Sequence, residues 1–121
     1  MSTSTLTLAS RETQPNGPKV VELNGNLNLE TVAGFNRELR EESAPALLLD
    51  FANVQWLDSA GVGALVQLLV RRAKTGQGLA IAGLSPRNRA VLEVAQVLKL
   101  FAVFQSADDA TKAFAANGKF A

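Results

Sequence analysis

The sequence contains no cysteine, no histidine and no tyrosine. The lack of cysteine excludes disulfides and thiolate metal sites, and it fits a reducing compartment. The lack of histidine removes the commonest metal ligand and the commonest general base. Neither a Ser-His-Asp triad nor a Cys-His pair can therefore form within this chain. We expect a protein that is not an enzyme and that needs no metal or cofactor.

An excess of charge of one sign and long apolar runs are also missing. Twelve basic and 11 acidic residues give a net charge of +1, so no electrostatic footprint for nucleic acid is visible. No run is long enough to cross a membrane, and residues 1–10 lack the apolar core of a signal peptide. We therefore expect a cytoplasmic protein that neither binds nucleic acid nor inserts into a membrane.

Short apolar runs bounded by turn residues predict five strands. The expected strands are residues 5–9, 19–23, 46–51, 79–82 and 103–105. The run at 46–51 is almost continuously apolar, which is typical of a central strand covered on both faces.

Apolar residues at a spacing of three and four predict two helices in the first two thirds of the chain. The first is expected to be capped by Asn28 and to end near Ser43. Its expected buried residues are Leu29, Val32, Phe35 and Leu39. The second helix has the clearest pattern in the chain. Its expected buried stripe is Val62, Leu65, Val66, Leu69, Val70 and Ala73.

Two further helices are predicted near the C-terminus. Ser85 followed by Pro86 indicates a helix start, since a hydroxyl cap and a proline at the first position are both favoured there. This third helix is expected to run through Val91, Leu92, Ala95 and Leu98. The fourth is expected over 108–116, with Ser106 or Asp108 as its cap and a frayed tail after it.

The element order is therefore β-β-α-β-α-β-α-β-α, a hairpin followed by repeated α/β units. This order predicts the α/β class, with a mixed central sheet that is parallel in its centre and about four helices. The 121 residues, 47% of them apolar, suit a single domain over 1–121 with its core at about 5–116.

Residues 54–65, which read VQWLDSAGVGAL, are the most informative segment. They follow the apolar strand, so a short loop is expected to lead into a helix that begins at Ser59. A hydroxyl at a helix N-terminus is well placed to carry a phosphate, because N–H groups and the helix dipole favour negative charge there. The alternative for Ser59 is an ordinary N-cap. The segment indicates a switch rather than a catalytic centre.

Residues 58–63 (D-S-A-G-V-G) resemble the D-S-[ST/A]-G-[LV]-G motif of the STAS domain family, in particular the bacterial anti-sigma-factor antagonists. Residues 47–54 resemble the strand and turn before that motif, and residues 83–86 resemble the start of the family's third helix. Residues 98–104 are similar to the family's C-terminal L-x-x-L-F-x-V-F segment. The resemblance covers about residues 6–116, and four segments in order make it specific.

The resemblance implies a phosphorylation switch. In that family, a partner kinase that is also the anti-sigma factor phosphorylates the serine directly after the aspartate, which is Ser59 here. The unphosphorylated protein binds the anti-sigma factor and frees the sigma factor, and a phosphatase restores the binding form. Asp58 is expected to support the site by orienting the serine or the kinase's metal ion, or else to act as a turn residue and alternative cap.

The chain departs from the family at Asn28. Many members carry an acid in a G-x-L-D sequence before the first helix, and here residues 25–28 read GNLN. Asparagine caps a helix as well as aspartate does, so the fold is unaffected. The lost negative charge near Ser59 bears on its phosphorylation.

We expect a partner-binding face on the second helix, beside the switch serine. Its expected members are Gly61, Gly63, Ala64, Leu68 and Arg71. Leu68 lies off the predicted core stripe, and small residues at the helix start let a partner backbone approach closely. Trp56 is expected to pack at the end of the strand or at the rim of this face.

Other function classes stay open. Other family branches are scaffolds of stress-signalling complexes, and one is the cytoplasmic subunit of a phospholipid transporter that binds an ATPase. A small α/β enzyme is a further alternative, although Asp58 and Ser59 alone would form its site. The intact pair and the full-length fit favour the phosphorylated regulator.

Overall fold

The structure, a computed structural model, describes residues 4–120. Its elements are β1 (Leu6–Glu12), β2 (Lys19–Leu27), α1 (Val32–Leu39), β3 (Ala46–Leu57), α2 (Ser59–Lys74), β4 (Gly78–Ala82), α3 (Pro86–Val94), β5 (Ala102–Phe104) and α4 (Ala107–Asn117). A short 3-10 turn, Leu98–Leu100, precedes β5. The element order predicted from the sequence is confirmed.

The five strands form one mixed sheet in the order β1-β2-β3-β4-β5. β1 runs antiparallel to β2, and β2, β3, β4 and β5 are mutually parallel. This arrangement confirms the predicted hairpin and the parallel centre. Each parallel step needs a crossover, and α1, α2 and α3 supply the three crossovers.

Helices cover both faces of the sheet, because β3 and β4 are apolar on both sides. The larger core lies under α1, α2 and α3, where Phe35, Leu65 and Leu92 pack against β2, β3 and β4. The smaller core lies under α4, where Ala110 and Phe120 cover Val20, Leu48 and Ala80.

β3 extends six residues beyond its predicted end at Phe51. Asn53, Val54 and Leu57 continue the parallel pairing with β2, with register shifts on the way. The exposed residues Asn53 and Gln55 interrupt the apolar pattern, so the sequence did not reveal this half of the strand. Because of this extension, only Asp58 separates the end of β3 from the start of α2.

The predicted start of the first helix is wrong. α1 begins at Val32 after Thr31, and Asn28 belongs to a turn that precedes it. Leu29 is 75% exposed instead of buried. The carbonyl of Asn28 accepts from the N–H groups of Thr31 and Val32, so residues 28–31 form a separate loop. α1 also ends at Leu39, earlier than predicted.

The predicted phase of α2 is also wrong in part. Gly61, Ala64 and Leu68, expected on an outer face, are buried, and Leu68 is only 1% exposed. Val70, expected in the core, is 49% exposed. The buried stripe of the helix ends in Arg72, a charged residue that a hydrophobic pattern assigns to solvent.

The C-terminal part confirms both predicted starts and corrects two ends. Ser85 and Ser106 cap α3 and α4 by accepting from the N–H groups of Asn88 and Asp109. α3 ends at Val94, because Gln96 turns the chain with a positive φ of 61°. The tail is not frayed at Phe120, which is buried against Phe104 and Phe114.

Candidate functional site

The β3–α2 junction places Ser59 at the first position of α2, exposed to solvent. The predicted helix start at this residue is confirmed. Asp58 is the N-cap, in an extended conformation, and its Oδ1 accepts from the N–H of Gly61 at 3.0 Å. Capping is therefore done by the aspartate, and the hydroxyl of Ser59 is not needed for it.

Asp58 also holds a second segment of chain. Its Oδ2 accepts from the N–H of Leu29 at 3.2 Å, and its own N–H donates to the carbonyl of Leu27 at 3.3 Å. One carboxylate thus joins the start of α2 to the 28–31 loop. The two segments are distant in sequence, so no local pattern reveals this connection.

Asn28 organises that loop without touching α2 through its side chain. Its Oδ1 accepts from the N–H of Glu30 at 3.0 Å, and its Nδ2 donates to the Oγ of Ser4 at 2.9 Å. Asn28 directly precedes the residue held by Asp58. Asn28 therefore shapes the loop beside the aspartate, and its predicted role in supporting phosphorylation stays a prediction.

An apolar groove opens beside Ser59, between the start of α2 and the exposed side of α3. Its lining residues are Ser59, Val62, Ala90, Val91, Val94 and Ala95. Val94 is 84% exposed, and Leu29 is 75% exposed in the loop held by Asp58. A contiguous apolar surface rimmed by polar residues is typical of protein docking sites. We call Ser59, Leu29 and Val94 the switch surface.

The predicted partner face on α2 divides into two groups. Gly61, Ala64 and Leu68 are buried, so they have no free face to offer a partner. Gly63 and Arg71 are exposed, and their predicted role in binding stays a prediction. The two glycines also differ in the space available for a side chain. A Cβ on Gly61 would lie 2.5 Å from the carbonyl oxygen of Leu27, whereas a Cβ on Gly63 would meet no atom within 4 Å.

Sequence reasoning missed Leu29 and Val94 for different reasons. Leu29 lies three residues before Val32, and this helical spacing predicted that it is buried with the apolar stripe of the first helix. The helix in fact begins at Val32. Val94 lies within the predicted third helix but is not a member of its predicted apolar stripe, so the sequence assigned it no role. Periodicity does not reveal the exposure of either residue, because exposure here depends on how the loop and α3 pack beside α2.

Trp56 lies on the same stretch of β3, three residues before Ser59, and is 46% exposed. The guanidinium carbon of Arg87, on the first turn of α3, lies 3.5 Å from the centre of the indole ring. This is a cation–π contact. Arg89 instead pairs with Glu93 at 3.2 Å along the exposed side of α3.

Replacing Asp58 with alanine should lower the free energy of unfolding by about 1 kcal/mol, because the cap of α2 is lost. It should also release the 28–31 loop, so hydrogen exchange at the Leu29 amide should accelerate. Ser106→Ala is the matched control, since it removes the cap of α4 far from this site. If both variants leave the Leu29 amide equally protected, Asp58 does not hold the loop.

Within residues 4–120, no helix has the length and apolarity needed to cross a membrane. Over the same residues, no group of three or more acidic side chains is placed to hold a metal ion.

Comparison with known proteins places this geometry in a family. The model of the STAS domain matches residues 10–110. No curated protein sequence matches the chain.

Several solved structures share the fold. An anti-sigma factor antagonist from Mycobacterium paratuberculosis is 22% identical with a TM-score of 0.79, over 90% of this chain and 93% of that one. A sulfate transporter family protein from Wolinella succinogenes is 24% identical with a TM-score of 0.73, over 84% and 87%. The phosphorylated form of the Bacillus cell fate determinant SpoIIAA is 16% identical with a TM-score of 0.65, over 89% and 97%.

Proposed function

Because the chain belongs to the STAS domain family, we propose that it is a cytoplasmic anti-sigma-factor antagonist that works without catalysing a reaction. Its unphosphorylated form binds an anti-sigma factor with serine kinase activity, and the sigma factor is released. Phosphorylation of Ser59 ends this binding, and a phosphatase restores it. The similarity to the antagonist from Mycobacterium paratuberculosis supports this class of function.

The observation that carries the proposal is the free, exposed hydroxyl of Ser59 at the first position of α2. A kinase must reach the Oγ atom and move it into line with a phosphoryl group. Asp58 already caps the helix, so moving the serine side chain costs no capping bond. The site is accessible and its modification leaves the fold intact.

Phosphoryl transfer from ATP to Ser59 would involve only this chain and the partner kinase. The Oγ of Ser59 attacks the γ-phosphorus of ATP held by the partner kinase, and a catalytic base of the kinase takes up the hydroxyl proton. A new O–P bond forms while the bond to the β-phosphate oxygen breaks and ADP leaves. The chain supplies only the hydroxyl, so all other catalytic groups belong to the partner.

The added phosphate changes the switch surface more than it changes the fold. It brings a charge of about −1.5 to −2 and three strong acceptors to the end of an apolar groove. At the start of α2 the helix dipole favours this charge. A partner that covers Leu29 and Val94 would have to bury the phosphate unpaired, which is costly. Binding is therefore lost while stability is kept.

Ser59→Ala should bind the partner as wild type does and should resist inactivation by ATP, whereas Ser59→Asp should lose the partner. Both variants should keep the wild-type circular dichroism spectrum. The measurement is an affinity pull-down from native lysate with mass spectrometry, before and after incubation with ATP. Ser10→Asp, an exposed β1 position, is the control for added charge. Equal capture of a kinase by wild type and Ser59→Asp would contradict the switch.

A subunit or scaffold role is the second candidate. The similarity to a sulfate transporter family protein supports it. In this case the same surface binds a transport ATPase at the inner face of the membrane, as in phospholipid-transport systems, or another member of a stress-signalling complex. Capture of a membrane ATPase by both wild type and Ser59→Asp distinguishes this function from the first.

A further inference from the structure

Arg87 is a cation held close to the switch surface. Its guanidinium lies 3.5 Å from the centre of the Trp56 ring. Among residues 4–120, Arg87 forms no ion pair, whereas Arg89, two residues later on α3, is paired with Glu93. The Trp56 ring, and not an acidic side chain, therefore fixes the position of the Arg87 guanidinium.

Arg87 lies one turn before the residues of α3 that line the groove beside Ser59. Ala90 and Val91, three and four residues after Arg87, line the groove together with Ser59. Residues at these spacings lie on one face of a helix, with Cβ atoms about 5–6 Å apart. The guanidinium is carried on a long flexible stem, so its position is not fixed by the backbone of α3.

We propose that Arg87 is the receptor for a phosphate on Ser59, and that it leaves the Trp56 ring to pair with that phosphate. The deduction rests on the proposed phosphorylation of Ser59. An exposed cation–π contact contributes only about 0.5–1 kcal/mol. A guanidinium–phosphate pair is bidentate and charge-assisted, so the exchange favours the phosphate.

The pairing has two consequences for the switch. The phosphate is fixed over the groove, where it covers the surface next to Val94 and blocks the partner. The paired phosphate is also less open to a phosphatase, so Arg87 prolongs the inactive state. Trp56 is the only tryptophan in the chain and reports directly on the departure of the guanidinium.

The test uses the full chain with phosphoserine installed at position 59 by genetic-code expansion, with no partner present. We expect the single indole cross-peak in the NMR spectrum to shift on phosphorylation in wild type and to stay in place in Arg87→Ala. Phosphate removal by a non-specific phosphatase should be about two- to fivefold faster in Arg87→Ala than in wild type. Arg87→Lys should restore part of the protection.

Arg89→Ala is the matched control, because it removes a neighbouring arginine that already has an acidic partner. It should behave as wild type in both measurements. Equal phosphatase rates for wild type and Arg87→Ala, with the indole signal unchanged by phosphorylation, would overturn the proposal. Since no kinase or anti-sigma factor takes part, a failure of the proposed function leaves these measurements unaffected.

Discussion

Replacing Arg72 with methionine should lower the free energy of unfolding by about 3 kcal/mol or more. Arg72 is 2% exposed, and its guanidinium donates to three carbonyl oxygens: Gly78 at 2.9 and 3.1 Å, Ala44 at 2.6 Å and Glu42 at 3.3 Å. Methionine fills much of the space and supplies no donor. The carbonyls of the half-buried residues Glu42, Ala44 and Gly78 would lose their donor, and an unsatisfied carbonyl costs about 1–3 kcal/mol where water is excluded.

Arg72 tolerates burial because carbonyl oxygens and the nearby Glu42 carboxylate stabilise its positive charge. Burial lowers the pKa of Arg72, and the nearby Glu42 carboxylate raises it in opposition. Arginine stays charged at neutral pH even after such a shift. Its bonds tie the end of α2 to the 42–44 segment before β3 and to the first residue of β4, so they fix the helix on the sheet.

Denaturation in urea measures this effect, and Arg71→Met is the matched control. Arg71 is exposed on the same helix, so its replacement should change the free energy of unfolding by no more than about 0.5 kcal/mol. A similar small change in both variants would show that the carbonyls near Arg72 are satisfied in another way, and that the arginine is not required for the fold.

Alanine at Gly61 and alanine at Gly63 should have effects of opposite sign. A Cβ at Gly61 would lie 2.5 Å from the carbonyl oxygen of Leu27 and 2.7 Å from Cδ1 of Leu57, so β2 and α2 would have to separate. We expect a loss of about 2 kcal/mol, within the range for overpacked sites. Gly63 has open space around it, and alanine there should add about 0.5–1 kcal/mol through helix propensity.

The same two variants separate the effect on global stability from the local effect on the 28–31 loop. The contact between Gly61 and Leu27 lies next to the bond from Asp58 to Leu29, so Gly61→Ala should also disturb the 28–31 loop. Thermal denaturation gives the signs, and hydrogen exchange at Leu29 gives the local effect. Destabilisation of equal size by both alanines would mean that the two glycines are interchangeable, contrary to the close approach at Gly61.

Several features depend on local sequence alone. The order of elements follows from short-range apolar patterns, and the starts of α3 and α4 follow from Ser85, Pro86 and Ser106, whose contacts lie within one turn. The start of α2 at Ser59 follows in the same way from the apolar strand and the residues after it. These interactions join residues three or four positions apart, so a single segment contains all the information.

The tertiary structure alone decided which side of α2 is buried and what the residues beside Ser59 do. Arg72 occupies a core position because carbonyls from two other segments accept its N–H groups, and this shifts the buried stripe to Leu68. Leu29 is exposed because Asp58, 29 positions away, holds its N–H. These hydrogen bonds form because the sheet brings distant segments together, and hydrophobic periodicity within one segment cannot predict them.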